Sequence, residues 1–250
     1  MGTIATSLSP APEAREVQKS ALQSWRKAGF SILSLNFPEE VGNLQREYGN
    51  LLEFVPARRS SPYSGQRRLM PVADLLEGAF QAGQGPAFVL NADIHLTPKA
   101  IRLEECPEDA VVMLPRWEIE TLDSNRAEKN PWGWDGVVIG KQLKGKFSNL
   151  AFGLGLPWWD YWIPFRALHL GFRVLEVEDP IARHVRHPER WNEKDRARLA
   201  GEIWREVGVG PLKRLWRKHF GPKAFRRHYG YHNHLAGLIR ETVSTHHKPF

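Results

Sequence analysis

The chain has very little cysteine and no long hydrophobic run. Cys106 is the only cysteine among 250 residues, which excludes an intramolecular disulfide and a zinc site built on several cysteines. No apolar stretch approaches the length of a transmembrane helix, and residues 1–15 lack the basic start and apolar run of a signal peptide. These absences predict a soluble, cytoplasmic protein that folds in a reducing compartment.

The net charge of +7 is concentrated in one segment of the chain. From Arg183 to His228 there are 14 Lys or Arg residues against 5 Asp or Glu residues, so the rest of the chain is slightly acidic. Such a basic segment suits nucleic acid, an anionic membrane surface, a phosphorylated ligand or a protein partner. Charge alone does not choose among these partners.

Strand-like and helical segments alternate in the first ninety residues. The hydrophobic spacing predicts strands at Gly2–Thr6, Phe30–Leu35, Leu51–Val55 and Ala87–Leu90, with helices at Glu13–Ala28, Pro38–Tyr48 and Leu69–Ala82. This alternation predicts an α/β fold with a mostly parallel central sheet flanked by helices. Ligands bind at the carboxyl ends of such strands, which are followed here by Thr6–Ser7, Asn36, Pro56–Arg58 and Asn91–Asp93.

The second half of the chain is less regular. Strands are predicted at Ala110–Leu114, Gly136–Gly140 and Phe172–Val177, with a helix at Tyr161–Leu170. From Glu193 to Arg240 the pattern is helical and basic. The chain is therefore divided into one domain, 1–190, and a basic helical C-terminal extension, 191–250, packed on it.

The segment Asn91–Ala92–Asp93 is the first candidate for chemistry. An acidic residue just past a buried strand needs a partner, and Mg²⁺ or Mn²⁺ bound to substrate phosphates is a common one. The alternative is structural, because Asp93 or Thr97 would suit the cap of a helix that begins at Pro98.

In this context the chain resembles the glycosyltransferases of the GT-A fold, particularly their family-2-like members. In those enzymes an Asp-x-Asp motif ends the fourth strand, and one acid reaches the metal that bridges the sugar diphosphate. Leu90–Ile94 resembles that motif with Asn91 in place of the first acid, and the resemblance covers about residues 2–190. It implies a nucleotide-binding half, 1–96, and an acceptor half, 97–190. The donor contacts that it implies are Thr6, Ser7, Ser9, Asn36, Asn91 and Asp93.

The same resemblance implies that Asp160 is the catalytic base. The family has an acidic residue at the start of a late helix, after a glycine-rich loop, and Gly153–Asp160 resembles that element. An inverting transferase needs such a base to take the acceptor hydroxyl proton. The usual Glu-Asp pair is altered, because Trp159 precedes the Asp. The structural alternative is that Asp160 caps the helix Tyr161–Leu170.

Several aromatic and basic residues are candidates for binding. Trp158 and Trp159 are either core residues or an acceptor platform, whereas Trp162 is predicted to lie in the core. Asp135 either orients an acceptor or makes a turn. Of the arginines in the loop before the third helix, Arg68 is predicted to bind the donor diphosphate. The alternative is that this loop is only a solvated surface.

The resemblance also implies a histidine ligand to the cation beyond the catalytic helix. His184 stands where that ligand is expected, with His187 three residues later. Two histidines in a basic stretch can equally be surface residues. A zinc site is disfavoured because no further acid or cysteine lies nearby in sequence, and His95 is a minor candidate to assist.

These features predict a metal-assisted, inverting glycosyltransferase that acts on a glycan or lipid-linked acceptor, as in surface polysaccharide or glycolipid synthesis. A nucleotidyltransferase is the second class, although the segment after the first strand, Ser7–Pro12, has no glycine to wrap a triphosphate. A non-enzymatic nucleic-acid binder is the third class. The basic C-terminus would alternatively contact an anionic membrane, at the inner face where lipid-linked acceptors lie.

Overall fold

The computed structural model describes residues 2–63, 68–124, 126–187, 193–207, 236–237, 239–241 and 248–250. The helices predicted between residues 208 and 235 lie outside the described residues. The charge and aromatic content of that stretch is therefore known from the sequence only.

The first half of the chain folds as its hydrophobic spacing predicts. In α1 the side chains of Ala21, Leu22 and Trp25 share one buried stripe. Helix α2 begins at a proline, and the carboxylate of Glu40 accepts a hydrogen bond from the main-chain nitrogen of Phe37 at 3.2 Å. The bounds are β1 Thr3–Thr6, α1 Arg15–Lys27, β2 Ser31–Asn36, α2 Pro38–Tyr48, β3 Glu53–Pro56, α3 Val72–Ala82 and β4 Ala87–Leu90.

The second half contains a long hairpin that the sequence pattern only partly predicts. Strand β6 continues from Ala110 to Ile119 and β7 runs from Glu128 to Ile139, so both are longer than expected. The pairing shifts register around Pro115, which has no main-chain N–H to donate. The remaining bounds are β5 Ile94–Leu96, α4 Trp159–His169, β8 Arg173–Glu176, β9 Ala182–Val185, α5 Glu193–Val207 and β10 Lys248–Pro249.

One curled sheet runs through the described chain in the order β10-β8-β6-β7-β4-β1-β2-β3. Most neighbours are parallel, but β7 lies antiparallel to β4 and β6. Strand β5 pairs antiparallel with β9. Strand β9 in turn pairs in parallel with the C-terminal part of β6, so β5 and β9 form a branch of the sheet. Neither β5 nor β9 is predicted, since each is short and carries polar residues. The mixed α/β class and the mostly parallel sheet are confirmed.

Apolar side chains fill both faces of the sheet. On one face α3, α4 and α5 pack against the sheet, together with Ala236 and Ile239 from the C-terminal segment. On the other face α1, α2 and the 3₁₀ helix Pro98–Glu105 pack against it. Cys106 is buried in this second layer, and burial raises the pKa of its thiol to about 12.

Candidate active site

The end of β4 leads into a tight turn that fixes Asn91. The main-chain nitrogen of Asn91 donates to the carbonyl of Asp135 at 3.1 Å, and its side-chain amide donates to Asp135 Oδ1 at 3.1 Å. Both bonds extend the pairing of β4 with β7. Asn91 is therefore attached to the neighbouring strand, which is a structural role for the position where the resembling family has an acid.

Asp93 lies at the centre of a cluster with two histidines. His187 Nε2 is 3.2 Å from Asp93 Oδ2, His184 Nε2 is 3.7 Å from the same oxygen, and the two Nε2 atoms are 3.0 Å apart. The register Ile94↔His184 of the β5–β9 pair brings His184 beside Asp93 from a point ninety residues later in the chain. His184 is buried and His187 is partly exposed, so the cluster opens on one side.

The donor set of this cluster fits a divalent cation. One ligand atom from each of Asp93, His184 and His187 lies within 4.8 Å of the others. Asp93 Oδ1 is buried and has no hydrogen-bond partner among the described residues. Although burial opposes the charge, His184 and His187 hold the pKa of Asp93 well below its usual range, so the carboxylate is ionised. A carboxylate with two imidazoles suits Mn²⁺ better than Mg²⁺, which prefers an all-oxygen shell.

The capping alternative is wrong for Asp93 and holds for Thr97 in position only. Strand β5 separates Asp93 from the 3₁₀ helix Pro98–Glu105. Thr97 occupies the capping position of that helix, but its side chain makes no capping hydrogen bond. His95 is also outside the cluster, since it pairs with Arg183 one step along the ladder and strand alternation turns it away from His184.

Asp160 lies in the first turn of α4 and points at β7. Its Oδ2 atom accepts a hydrogen bond from the main-chain nitrogen of Trp134 at 2.9 Å. The capping residue of α4 is Trp158, which has a left-handed backbone with φ 77°, so Asp160 is not the helix cap. Burial, reinforced by the charge of Asp135, raises the pKa of Asp160 to about 6. A carboxyl group with that pKa can accept a proton near neutral pH.

Arg116 is a site residue that the sequence pattern does not reveal. Its guanidinium Nε lies 3.3 Å from Asp135 Oδ2, and its charge acts on Asp93 and Asp160 as well. Asp135 is therefore held between Arg116 and Asn91, and burial raises its pKa against the lowering effect of Arg116. The feature of the sequence that could have identified Arg116 is its charge, because it interrupts the apolar run of β6.

The predicted donor residues lie at the carboxyl edge of the sheet, but several brace the protein itself. Thr6 Oγ1 donates to the carbonyl of Leu90 at 2.8 Å and links β1 to β4. Asn36 is buried and bound to Leu8 by two hydrogen bonds. Its Oδ1 atom accepts from the main-chain nitrogen of Leu8 at 3.3 Å, and its Nδ2 atom donates to the carbonyl of Leu8 at 2.8 Å. These two side chains fix the strand ends around the loop that contains Ser7 and Ser9.

Arg68 lies at the same edge, beyond β2. Its guanidinium pairs with Glu39 and stacks 3.7 Å from the centre of the Phe37 ring. Its side chain remains about half exposed, which leaves room for a ligand. Arg59 is paired with Asp74 instead, and Arg67 is outside the described residues.

Of the two alternatives for Trp158 and Trp159, the core alternative holds. Each ring is only 3% exposed and belongs to the core, and the indole nitrogen of Trp158 donates to the carbonyl of Arg196 at 2.9 Å. Neither ring has a free face for a sugar. Trp162 is in the core as predicted. Among the described aromatic side chains the most exposed is that of Trp132, at 56%, which lies in β7 next to Gly133.

The chain is similar to several solved structures. The crystal structure of S. aureus TarS 1–349 is similar with a TM-score of 0.50 and 11% identity, covering 92% of this chain and 72% of that one. A nucleotidyl transferase from Methanothermobacter thermautotroptrophicus is similar with a TM-score of 0.48 and 15% identity, covering 82% of this chain and 97% of that one. The glycosyltransferase GlyE of Streptococcus pneumoniae TIGR4 is similar with a TM-score of 0.41 and 10% identity, covering 98% of this chain and 64% of that one.

The chain has a Rossmann-like fold of the GT-A type. At these identities the likeness concerns the fold alone. No protein-family model and no curated protein sequence matches the chain. The candidate site therefore rests on its own geometry: Asp93 follows the end of β4, and Asp160 is hydrogen-bonded to Trp134 of the neighbouring strand β7.

Proposed function

We propose that this protein is a glycosyltransferase that moves a sugar from a nucleoside-diphosphate sugar to an acceptor hydroxyl with inversion. The observation that carries the proposal is that the Asp93, His184 and His187 cluster and Asp160, a carboxyl group with a pKa of about 6, both interact with the charge of Arg116. A cation site that suits a diphosphate and a base poised near neutrality are the two components that this reaction needs.

Each component has a separate task in the proposed reaction. Asp93, His184 and His187 would hold a divalent cation, which neutralises charge on a leaving diphosphate when bound. Arg68 would contact the donor diphosphate from the β2 edge, beside Ser7 and Ser9. Asp160 takes the proton of the acceptor hydroxyl, and Trp132 offers its exposed ring to an acceptor sugar.

The positions of these residues support two halves on one sheet. Residues 1–96 would bind the nucleotide and residues 97–190 the acceptor. The described parts of the C-terminal extension contact both halves: Glu202 of α5 accepts a hydrogen bond from Tyr63 in the nucleotide half. On the acceptor half, the guanidinium of Arg240 lies 5.0 Å from the ring centre of Trp134. A glycan or a lipid-linked acceptor would approach from this side.

A nucleotidyltransferase is the weaker alternative, because the loop after β1 has few main-chain N–H groups to offer. The nitrogen of Leu8 donates to Asn36, that of Ser9 to Gln18, and that of Ala11 to Ser9 Oγ. Wrapping a triphosphate requires such groups to be available. A nucleic-acid binder would leave the Asp93 cluster and Asp160 without a purpose.

Membrane contact remains a proposal. Among the described residues, every helix is too short or too polar to cross a bilayer. Half of the 14 Lys or Arg residues of the basic segment that would contact an anionic surface, or a polysaccharide-synthesis complex at the inner face, lie in residues 208–228, outside the described residues. Deletion of residues 193–250 would test vesicle binding, although it also removes core side chains such as Leu199 and Ile203.

A donor screen tests the proposed function. UDP-, GDP-, CMP- and dTDP-sugars are titrated with and without Mn²⁺ while the melting temperature is followed. One nucleotide at about 100 times its Kd should stabilise the folded chain by roughly 2–3 kcal/mol, because it binds only the native state. If no nucleotide raises the melting temperature with any metal, the glycosyltransferase proposal fails.

Gly133 is expected to be intolerant of any side chain because of Asp160. Its φ of +83° is left-handed, and a Cβ atom there would lie 2.9 Å from Asp160 Oδ2. Gly133→Ala should lower the free energy of unfolding by roughly 1–2 kcal/mol and lower turnover by roughly 10–100-fold, since the base is displaced. Urea unfolding and a donor-turnover assay measure the two effects.

Gly171→Ala is the matched control for Gly133→Ala. Gly171 has a φ of +82°, with open space where its Cβ would lie. This variant should lose comparable stability and keep full turnover. Equal loss of turnover in both variants would contradict the role given to the contact between Gly133 and Asp160.

A further inference from the structure

A separate cavity of about 300 Å³ lies between α1 and the strands β5 and β9. None of its lining residues belongs to the Asp93 cluster, although His95 adjoins that cluster and its charge interacts with Asp93 and His184. Polar and cationic side chains line it together with an apolar wall, and no carboxylate is among the lining residues that the structure describes. They are Ser20, Gln23, Ser24, Lys27, His95, Leu96, Thr97, Pro98, Ile119, Leu122 and Arg183.

One face of α1 forms a polar wall of the cavity. Ser20, Gln23, Ser24 and Lys27 follow the i, i+3, i+4, i+7 spacing that places side chains on one helix face. Ser24 is engaged in structure, since its hydroxyl accepts the main-chain N–H of Leu96 at 3.0 Å. Ser20, Gln23 and Lys27 make no side-chain hydrogen bond or ion pair with another described residue, so their polar ends are available to a ligand. The apolar stripe of the same helix faces the core, so this polar stripe is not required for packing.

Two buried polar groups of the opposite wall are unsatisfied. His95 is 8% exposed, and no hydrogen bond of normal geometry reaches either of its ring nitrogens from the described residues, the main chain of Asp93 being the polar group that its ring approaches. The hydroxyl of Thr97 is buried without a partner as well. Buried donors and acceptors are nearly always paired, so an imidazole left in this state beside a cavity indicates a missing ligand.

The charge of the cavity defines the ligand. Lys27 and Arg183 contribute two positive charges. Among the described residues, the guanidinium of Arg183 donates one hydrogen bond, from Nε to the carbonyl of Pro180 at 3.4 Å. The donors approach from the helix and from both strands, which suits a tetrahedral anion better than a planar carboxylate. Leu96, Ile119 and Leu122 add an apolar wall for a small organic group.

We propose that this cavity, named here the α1–β5–β9 site, binds a small organic phosphate. Lys27 and Arg183 would bind its charge, His95 and Thr97 its oxygens, and the apolar wall its organic group. A ligand there would join α1 to the strand pair that also presents Asp93 and His184, so its occupancy is coupled to the geometry of the proposed cation site. The site goes beyond the proposed function and does not depend on it.

Calorimetric titration of the full chain with phenyl phosphate and with inorganic phosphate tests the site, with no metal or nucleotide present. We expect saturable binding, tighter for phenyl phosphate because of the apolar wall. Arg183→Gln and Lys27→Gln should each weaken it at least about tenfold, the loss of one charge-assisted bond. Lys144→Gln, an exposed lysine outside the cavity, should bind as the unmodified chain does.

Ser20→Phe provides a second, charge-neutral test, since it fills the cavity from the partly exposed face of α1. It should abolish binding without lowering the melting temperature. The α1–β5–β9 site is refuted by the absence of saturable binding up to about 10 mM. It is equally refuted by binding that UDP displaces, which would locate the phosphate in the donor site, or by binding that the Arg183 and Lys27 variants retain.

Discussion

Asp160→Asn is expected to lower turnover by roughly 10²–10⁴-fold while donor binding stays unchanged. The amide oxygen of Asn can still accept the main-chain hydrogen bond from Trp134, so the geometry of α4 and β7 is kept. The variant loses only the ability to accept the acceptor proton. Steady-state turnover and donor-dependent melting measure the two effects on the same sample.

The pH dependence of turnover checks the same assignment. Because the pKa of Asp160 is about 6, the unprotonated base accumulates as the pH rises through 6, and turnover should rise with it and then level off. Asp179→Asn, an exposed acid paired with Arg102, is the matched control and should keep the profile. Full activity in Asp160→Asn, or a profile without a step near pH 6, would contradict the base assignment.

Stability should change with pH in the opposite sense. The pKa of Asp160 is higher in the folded chain than its ordinary value of 3.8, so its contribution to stability is present below about pH 4 and is lost as the pH rises through 6. Asp160→Asn has no charge to bury. Above pH 6 it should be more stable than the unmodified chain by roughly 1–3 kcal/mol. The base is thus placed at a cost to the fold.

Asp93→Ala is expected to weaken Mn²⁺ binding by at least about 100-fold and to remove the metal-dependent part of donor stabilisation. Asp93 supplies the only carboxylate of the cluster and a buried oxygen without a partner among the described residues. The fold should survive, because His184 and His187 still contact each other at 3.0 Å. Calorimetry with Mn²⁺, Mg²⁺ and Zn²⁺ measures the affinity and identifies the preferred ion.

His187→Gln separates a cation site from a simple ion pair. If a cation is held, this variant should weaken Mn²⁺ less than Asp93→Ala does, since an amide oxygen can still serve as a ligand. Unaltered Mn²⁺ affinity in both variants would place the metal elsewhere. In that case Asp93 and the histidines would form only a buried charge pair.

Local spacing predicts the first half of the fold because its elements are set by their own sequence. Helix α2 and strand β4 have the predicted bounds, and α1 differs by a short 3₁₀ turn at Pro12–Ala14. The pair β5–β9 escapes prediction because its strands have three and four residues and meet across about ninety positions of sequence. Such pairing depends on the folded surroundings and leaves no periodic signal.

The same distinction applies to the candidate site, where some residues can be predicted from the sequence and others only from contacts in the folded chain. Asp93 and Asp160 are candidates from the sequence because one follows a predicted strand and the other precedes a predicted helix, whereas His184 is a candidate only through the family resemblance. The roles of Asn91 and Gly133 depend on contacts with Asp135 and Asp160 that only the folded chain reveals. Trp158 and Trp159 are undecided in sequence because aromatic rings serve cores and sugar sites equally well.

The burial of Cys106 has a practical consequence for spectroscopy. Only a thiolate reacts with maleimides, and a thiol with a pKa of about 12 is almost entirely protonated at neutral pH. The native chain therefore has no reactive thiol to remove. A cysteine introduced at Trp132 or Leu122, which are 56% and 48% exposed, would be the single labelling point on the hairpin or on the rim of the α1 cavity. Paired labels would report the distance between these two positions, each of which gives up a side chain assigned above to the acceptor or to the apolar wall.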